Sequence, residues 1–263
     1  SLGLNLTAKD FLEVVKKPRN LIIALICQML ILPVIGIIII SFFPMQAEFQ
    51  LGVFLLLILP SAVMSNYATK LVNGNVPLSI ILTSSCALFS FITIPVYLYL
   101  FSKYFYLSNF QLDIFAFSIK TFLFITIPVI GGIFCIEKFS NFFKEKVFFL
   151  DRLAFGIFLL IVFIAIYMEK NNLVEYFNDI GAVVVIILAS IVITVFLITK
   201  IFIKDLQSRR AILIEGLLQN GAMGFVVGSL IYSEVVYLIP IAIYSLLQYC
   251  VLMFYIGNIK IKN

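Results

Sequence analysis

The sequence predicts an all-α polytopic membrane protein, and three observations carry that reading. Of its 263 residues, 63% are hydrophobic and only 12% charged. A soluble domain averages about half apolar and about 25% charged, so this chain has too little charge to cover a water-facing surface. Eight segments are long and apolar enough to cross a hydrocarbon core about 30 Å thick as helices of about 20 residues. Their apolar runs are continuous where a membrane β-barrel needs alternation, which excludes a barrel.

Leu2–Leu6 reads as the end of a helix whose beginning is expected to precede residue 1. Residues 7–19, TAKDFLEVVKKPR, set Phe11, Leu12, Val14 and Val15 against three lysines and Arg19. That pattern predicts an interfacial amphipathic helix stopped near Pro18. The spans then follow at 20–43, 49–72, 76–102, 112–136, 147–168, 176–203, 209–232 and 235–258. Alternating them across the bilayer puts fifteen of the 18 basic residues on one side, among them Lys70, Lys138, Arg152, Lys200 and Arg209. Only Lys103 and Lys170 fall on the other, and Lys120, inside a span near its outer end, is expected to snorkel. The positive-inside rule makes the crowded side cytoplasmic, so the N-terminal segment and the C-terminus are both expected in the cytosol, with the chain in the plasma (inner) membrane. The net charge of +5 is thereby a topology signal and asks for no nucleic acid.

The chain has no His, which excludes Ser-His-Asp and Cys-His hydrolases and a His-ligated metal. Cys27, Cys86, Cys135 and Cys250 stand alone in apolar runs without CxxC spacing and read as small hydrophobes.

Polar residues interrupt two spans. The second reads LILPSAVMSNYATKL, with Pro60, Ser61, Ser65, Asn66 and Thr69 near mid-membrane. Pro60 has no N–H and clashes with the preceding turn, so the helix is expected to open at Pro60–Met64. The seventh reads AILIEGLLQNGAMGF, with Glu215, Gln219 and Asn220 among glycines, and is expected to open at Glu215–Asn220. A carboxylate at that depth costs several kcal/mol unless paired or solvated, and marks a functional site by default. Ser79 and Thr83 share a face of the third span at i,i+4, and Gln28 is the lone amide of the first. Two interrupted helices five spans apart point to an inverted-repeat secondary transporter that binds where they cross. Residues 20–102 then correspond to 176–258, with 112–168 standing in front of the second repeat.

At these residues the sequence resembles the bile acid:sodium symporter family. The carrying segments are GLNLTAKDF at 3–11, SNYATKLVNGNVPLSIILT at 65–83 and IEGLLQN at 214–220. The resemblance implies a core domain with two crossing discontinuous helices beside a panel domain formed here by 112–168. It also implies that the first helix and most of the second of a ten-helix parent are missing. The first sodium site it implies uses Ser65, Asn66, Ser79, Thr83 and Glu215. The second uses Gln28, Gln219 and Glu215, with backbone carbonyls of Gly216 and Leu218.

The chemistry agrees with that assignment, because hydroxyls, amide carbonyls, one carboxylate and unwound backbone are the hard oxygens a sodium ion takes. One Glu shared by two cations leaves a net +1, which favours a monoanionic substrate. The N-termini of the half-helices after Pro60 and Asn220 are suited to hold it, with Ser61, Val63, Asn220 and Gln248 as expected substrate contacts. The Gly-Gly pair that often follows the family's proline is replaced by Ser61 and Ala62, and Gln248 and Tyr249 stand where some bacterial members have His and Asn. The expected function is sodium-coupled symport of a small organic anion, bile-acid-like, pantoate-like or a 2-oxo or hydroxy acid, by alternating access. The rivals are a proton-coupled or efflux carrier of the same superfamily and a non-transporting anion sensor. An enzyme is disfavoured, because Glu215 has no carboxylate, His or Cys partner at the site, and no cofactor beyond the coupling sodium is expected.

Overall fold

The computed structural model describes residues 18–105, 113–139, 142, 146–232 and 234–262, and apart from one isolated bridge every regular element in them is helical. Six helices are long and apolar enough to span a bilayer: α1 (Pro18–Ser41), α4 (Val76–Tyr104), α5 (Ile114–Lys138), α6 (Val147–Met168), α7 (Leu173–Phe202) and α10 (Ile239–Lys262, entered through the 3-10 turn Val235–Leu238). The other two expected spans are split into the pairs α2 (Ala47–Ile58) and α3 (Met64–Leu71), and α8 (Leu206–Leu217) and α9 (Gly221–Ile231). The amphipathic segment and the GLNLTAKDF motif lie outside the described residues. Pro18, the expected stop, is instead the first residue of α1, where its missing N–H has no intrahelical partner to lose.

Both breaks are narrower or shifted relative to expectation. The first covers Leu59–Val63. The second is confined to Leu218–Asn220, because the Leu218 amide still donates to Ile214 O at 2.9 Å and carries the helical ladder past Glu215. Glu215 and Gly216 therefore sit on the last turn of a helix and not in unwound chain.

Two further irregularities fall inside continuous helices. α1 widens to a π-turn at Cys27–Ile31 and α5 at Phe122–Thr126. Each ends two residues before a proline, Pro33 and Pro128, whose missing donor opens the ladder locally. Gln28 lies on the first of these turns.

α2 is the centre of the molecule. It packs against α1, α4, α9 and α10, and every residue from Leu51 to Leu59 is buried. α8 rests on α7, α4 and α3. By contrast α5 lies on α4 and α6 on α10, and both turn large apolar side chains outward, such as Phe134 at 57% and Phe163 at 64% exposed. In a bilayer those faces meet lipid. The loop between α3 and α4 closes tightly: Asn73 takes a left-handed conformation (φ 52°) and the Gly74 amide bonds back to Thr69 O at 2.8 Å, a helix stop that satisfies an otherwise orphaned carbonyl. The Asn75 amide then reaches Gln207 O at 3.0 Å, tying this loop to the start of α8.

Candidate functional site

The two breaks meet. Ala62 N donates to Leu218 O and Asn220 N to Pro60 O, both at 3.1 Å, forming a short antiparallel bridge between Ser61 and Gln219. Unwound backbone inside a membrane is tolerated only where protein or water satisfies it, and here each break satisfies the other. Ser61 Oγ adds a bond to Glu215 O at 3.0 Å.

Beside the bridge, three helices converge on one carboxylate. Glu215, fully buried on α8, accepts hydrogen bonds from Ser65 of α3 and Ser79 of α4 at Oε1, and from Thr83 of α4 at Oε2 at 2.6 Å. Ser79 Oγ also lies 2.9 Å from Asn66 Oδ1. The i,i+4 spacing of Ser79 and Thr83 sets both hydroxyls on the face of α4 that α8 covers. Thr69, also fully buried, reaches Ser79 Oγ at 3.3 Å. It belongs to this cluster although it carried no site role in the sequence reading; its i,i+4 relation to Ser65 on α3 was the available signal. All five residues of the first expected cation set are thus within one hydrogen-bonded group.

The second set is also assembled around the crossing. Gln28 Nε2 donates to Gln219 Oε1 at 2.9 Å and to Leu59 O at 3.3 Å, and Gln219 Nε2 donates to Gly216 O at 2.9 Å. The Leu218 carbonyl takes part in the bridge described above. Gln28, Gly216, Leu218 and Gln219 therefore form one network that reaches Glu215 through the last turn of α8.

The four expected substrate contacts divide. Val63 and Asn220 line a cavity of about 300 Å³ between the N-terminal turns of α3 and α9 on one side and α5 and α6 on the other. Asn220 Oδ1 also caps α9 by accepting from Met223 N at 3.0 Å. Ser61 and Gln248 are fully buried and are not on the cavity wall. Gln248 instead clasps the backbone of Gln219, its Oε1 accepting from Gln219 N at 2.8 Å and its Nε2 donating to Gln219 O at 3.0 Å. Phe124, Ile125, Phe155, Phe158 and Tyr249 make most of the remaining wall apolar and aromatic, and Asp151 of α6 adds a carboxylate. Sequence reasoning gave Asp151 no role, because four residues into a span it reads as an ordinary interfacial charge. Gly221 is the close approach at this mouth: a Cβ there would meet Ser245 Oγ and the Phe158 ring. Among the described residues, no group of three His, Cys, Asp or Glu side chains gathers to hold a metal.

A sequence model of the sodium bile acid symporter family matches residues 1–176. The chain belongs to this family. Within the sodium bile acid symporters it is 29% identical over 244 residues to "Uncharacterized sodium-dependent transporter YocS" of Bacillus subtilis (strain 168), an alignment covering 93% of this chain and 74% of that one. It is 25% identical over 247 residues to "Probable sodium/metabolite cotransporter BASS2, chloroplastic" of Oryza sativa subsp. japonica, covering 92% and 57%. To the Arabidopsis thaliana protein of the same printed description called BASS1 it is 21% identical over 244 residues, covering 93% and 60%. The chain thus spans little more than half the length of these two plant relatives. The family match, the helical architecture and the spans together make it a multi-pass membrane protein of a sodium-dependent transporter family.

Proposed function

We propose that the chain carries out sodium-coupled symport of a small organic anion by alternating access, built on two inverted repeats, 20–102 and 176–258, with 112–168 as the panel. It resides in the plasma (inner) membrane with its N-terminal segment and C-terminus in the cytosol. The observation that carries this reading is the convergence of Ser65, Ser79 and Thr83 on Glu215 beside two mutually bonded helix breaks. A hydroxyl that donates to a carboxylate turns its lone pairs the other way. Three such hydroxyls, the Asn66 amide oxygen and Glu215 itself therefore supply hard oxygens around one point, suited to the first sodium ion. Gln28, Gln219, Glu215 and the carbonyls of Gly216 and Leu218 supply the second.

The coupling follows from what each ion would hold. The first ties Ser65 and Asn66, at the start of α3, to α4 and α8. The second ties α8 to α1 through Gln28. Both half-helix N-termini face the cavity, where partial positive charge favours an anion. Sodium binding would order the anion's site, and by linkage the anion tightens sodium by the same factor.

Thr83→Val and Gln28→Leu are each expected to weaken sodium binding by about 1–3 kcal/mol, the cost of a lost buried polar partner. High sodium should partly restore anion affinity in both. Asn220→Ala acts at the cavity itself and should lower anion affinity at every sodium concentration. Loss of its cap on α9 is expected to cost about 1 kcal/mol of stability as well. Titrating anion binding against sodium in the three variants separates these behaviours. If sodium rescues Asn220→Ala as well as it rescues Thr83→Val, the division into cation and substrate residues is wrong.

A further inference from the structure

The cavity proposed to take an anion has a carboxylate in its wall. Asp151 sits one turn inside α6, is 4% exposed and lines the cavity opposite the half-helix N-termini. It is the only acidic residue among the described residues of that wall. Its orientation is set from across the site. Tyr67 Oη, on α3 next to Asn66, donates to Asp151 Oδ2 at 2.8 Å. The Tyr67 ring meets Phe148 of α6 edge-on at 5.9 Å, and the Arg152 guanidinium covers Phe148 at 4.0 Å.

A buried carboxylate repels a substrate carboxylate placed beside it and is costly where it serves no hydrogen bond. An acid bound in this cavity must therefore keep its own charge at the half-helix N-termini and present something else to Asp151. A carboxylate has about four lone-pair sites, so donation from Tyr67 leaves acceptor capacity for a further donor. Between the two ends the wall is apolar, formed by Phe124, Phe155 and Phe158.

Resting on the carrier reading above, we propose that Asp151 determines specificity: the substrate is a bipolar acid with an apolar middle and a hydrogen-bond donor, hydroxyl or ammonium, at the end remote from its carboxylate, and Tyr67 is the positioning residue that aims Asp151 at that donor. The bland alternative is that Tyr67 and Asp151 merely fasten α3 to α6, in which case their loss alters affinity for all acids alike.

A matched set of probes separates the two. Binding of hexanoate, 6-hydroxyhexanoate and 6-aminohexanoate is measured calorimetrically on the purified full chain in saturating sodium. The expected result is that at least one ω-substituted acid binds about tenfold or more tighter than hexanoate, the scale of a hydrogen bond to a charged group. Which one wins distinguishes hydroxyl from ammonium. Asp151→Ala should bring the ratio of affinities to about one, and Tyr67→Phe should reduce it in the same direction. Asp151→Asn, which keeps an acceptor but no charge, should retain a preference for the hydroxy acid and lose one for the amino acid. A ratio is insensitive to general loosening of the fold, so a purely structural role leaves it unmoved. Equal binding of all three acids by the wild type, or a preference that survives in Asp151→Ala, overturns the inference while leaving the sodium-coupled carrier intact. Binding that is the same in sodium and potassium overturns the carrier reading and this inference with it.

Discussion

Glu215→Gln is expected to leave the chain folded and to lower its sodium affinity by about two to three orders of magnitude. Glu215 is fully buried, and three hydroxyls from two other helices converge on its two oxygens. Glutamine has the same shape, and the hydroxyls can turn to meet its amide, so packing among α3, α4 and α8 should persist. What is lost is the negative charge that compensates the bound cation. Leaving a buried charge without its partner costs about 3–5 kcal/mol, which converts to that loss of affinity. Thermal stability titrated with sodium, at constant ionic strength, reads the effect directly. Wild-type protein should be stabilised with a clear half-saturation, and the variant should not respond. An unchanged half-saturation would remove Glu215 from the cation site.

The second large effect is expected at Gln248, through the backbone it holds. The side chain satisfies both the N–H and the carbonyl of Gln219, inside the Leu218–Asn220 break and away from any helical ladder. Gln248→Leu orphans both groups in a fully buried place, and each costs about 1–3 kcal/mol. Loss of stability on the order of 3 kcal/mol should follow, with weakened sodium binding, because Gln219 also pairs with Gln28. Denaturation midpoints of the wild type and the variant in matched detergent check this. A midpoint unchanged by the substitution would mean that the crossing does not depend on the clasp.

These residues also show what was legible in the sequence. The spans were, because lipid demands long apolar helices and leaves charge only in the linkers. So were the two breaks, since Pro60 removes a donor and Glu215 with Gln219 has no reason to lie at mid-membrane unless something is bound there. Ser79 and Thr83 were found from i,i+4 spacing, and the structure places both on Glu215. The extent of the second break was not legible. Whether Glu215 ends a helix or lies beyond it is decided by the Ile214–Leu218 hydrogen bond and by packing on α7, neither of which a local pattern records. Gln248 looked like a residue of the substrate wall, yet tertiary packing turns it toward the Gln219 backbone, while its neighbour Tyr249 faces the cavity. A rotation of about 100° per residue along a helix separates those two roles. Asp151 and Tyr67 lie 84 positions apart in sequence, and no spacing rule connects them.

The central claim is that sodium and an organic anion bind interdependently at one crossing. The most direct test measures the dissociation constant of the tightest-binding anion from a thermal-shift screen, with sodium progressively replaced by potassium at fixed ionic strength. The account predicts that affinity falls steeply as sodium is withdrawn, that saturating anion tightens sodium by the same factor, and that Glu215→Gln abolishes the dependence. An anion affinity that is the same in sodium and in potassium would contradict it.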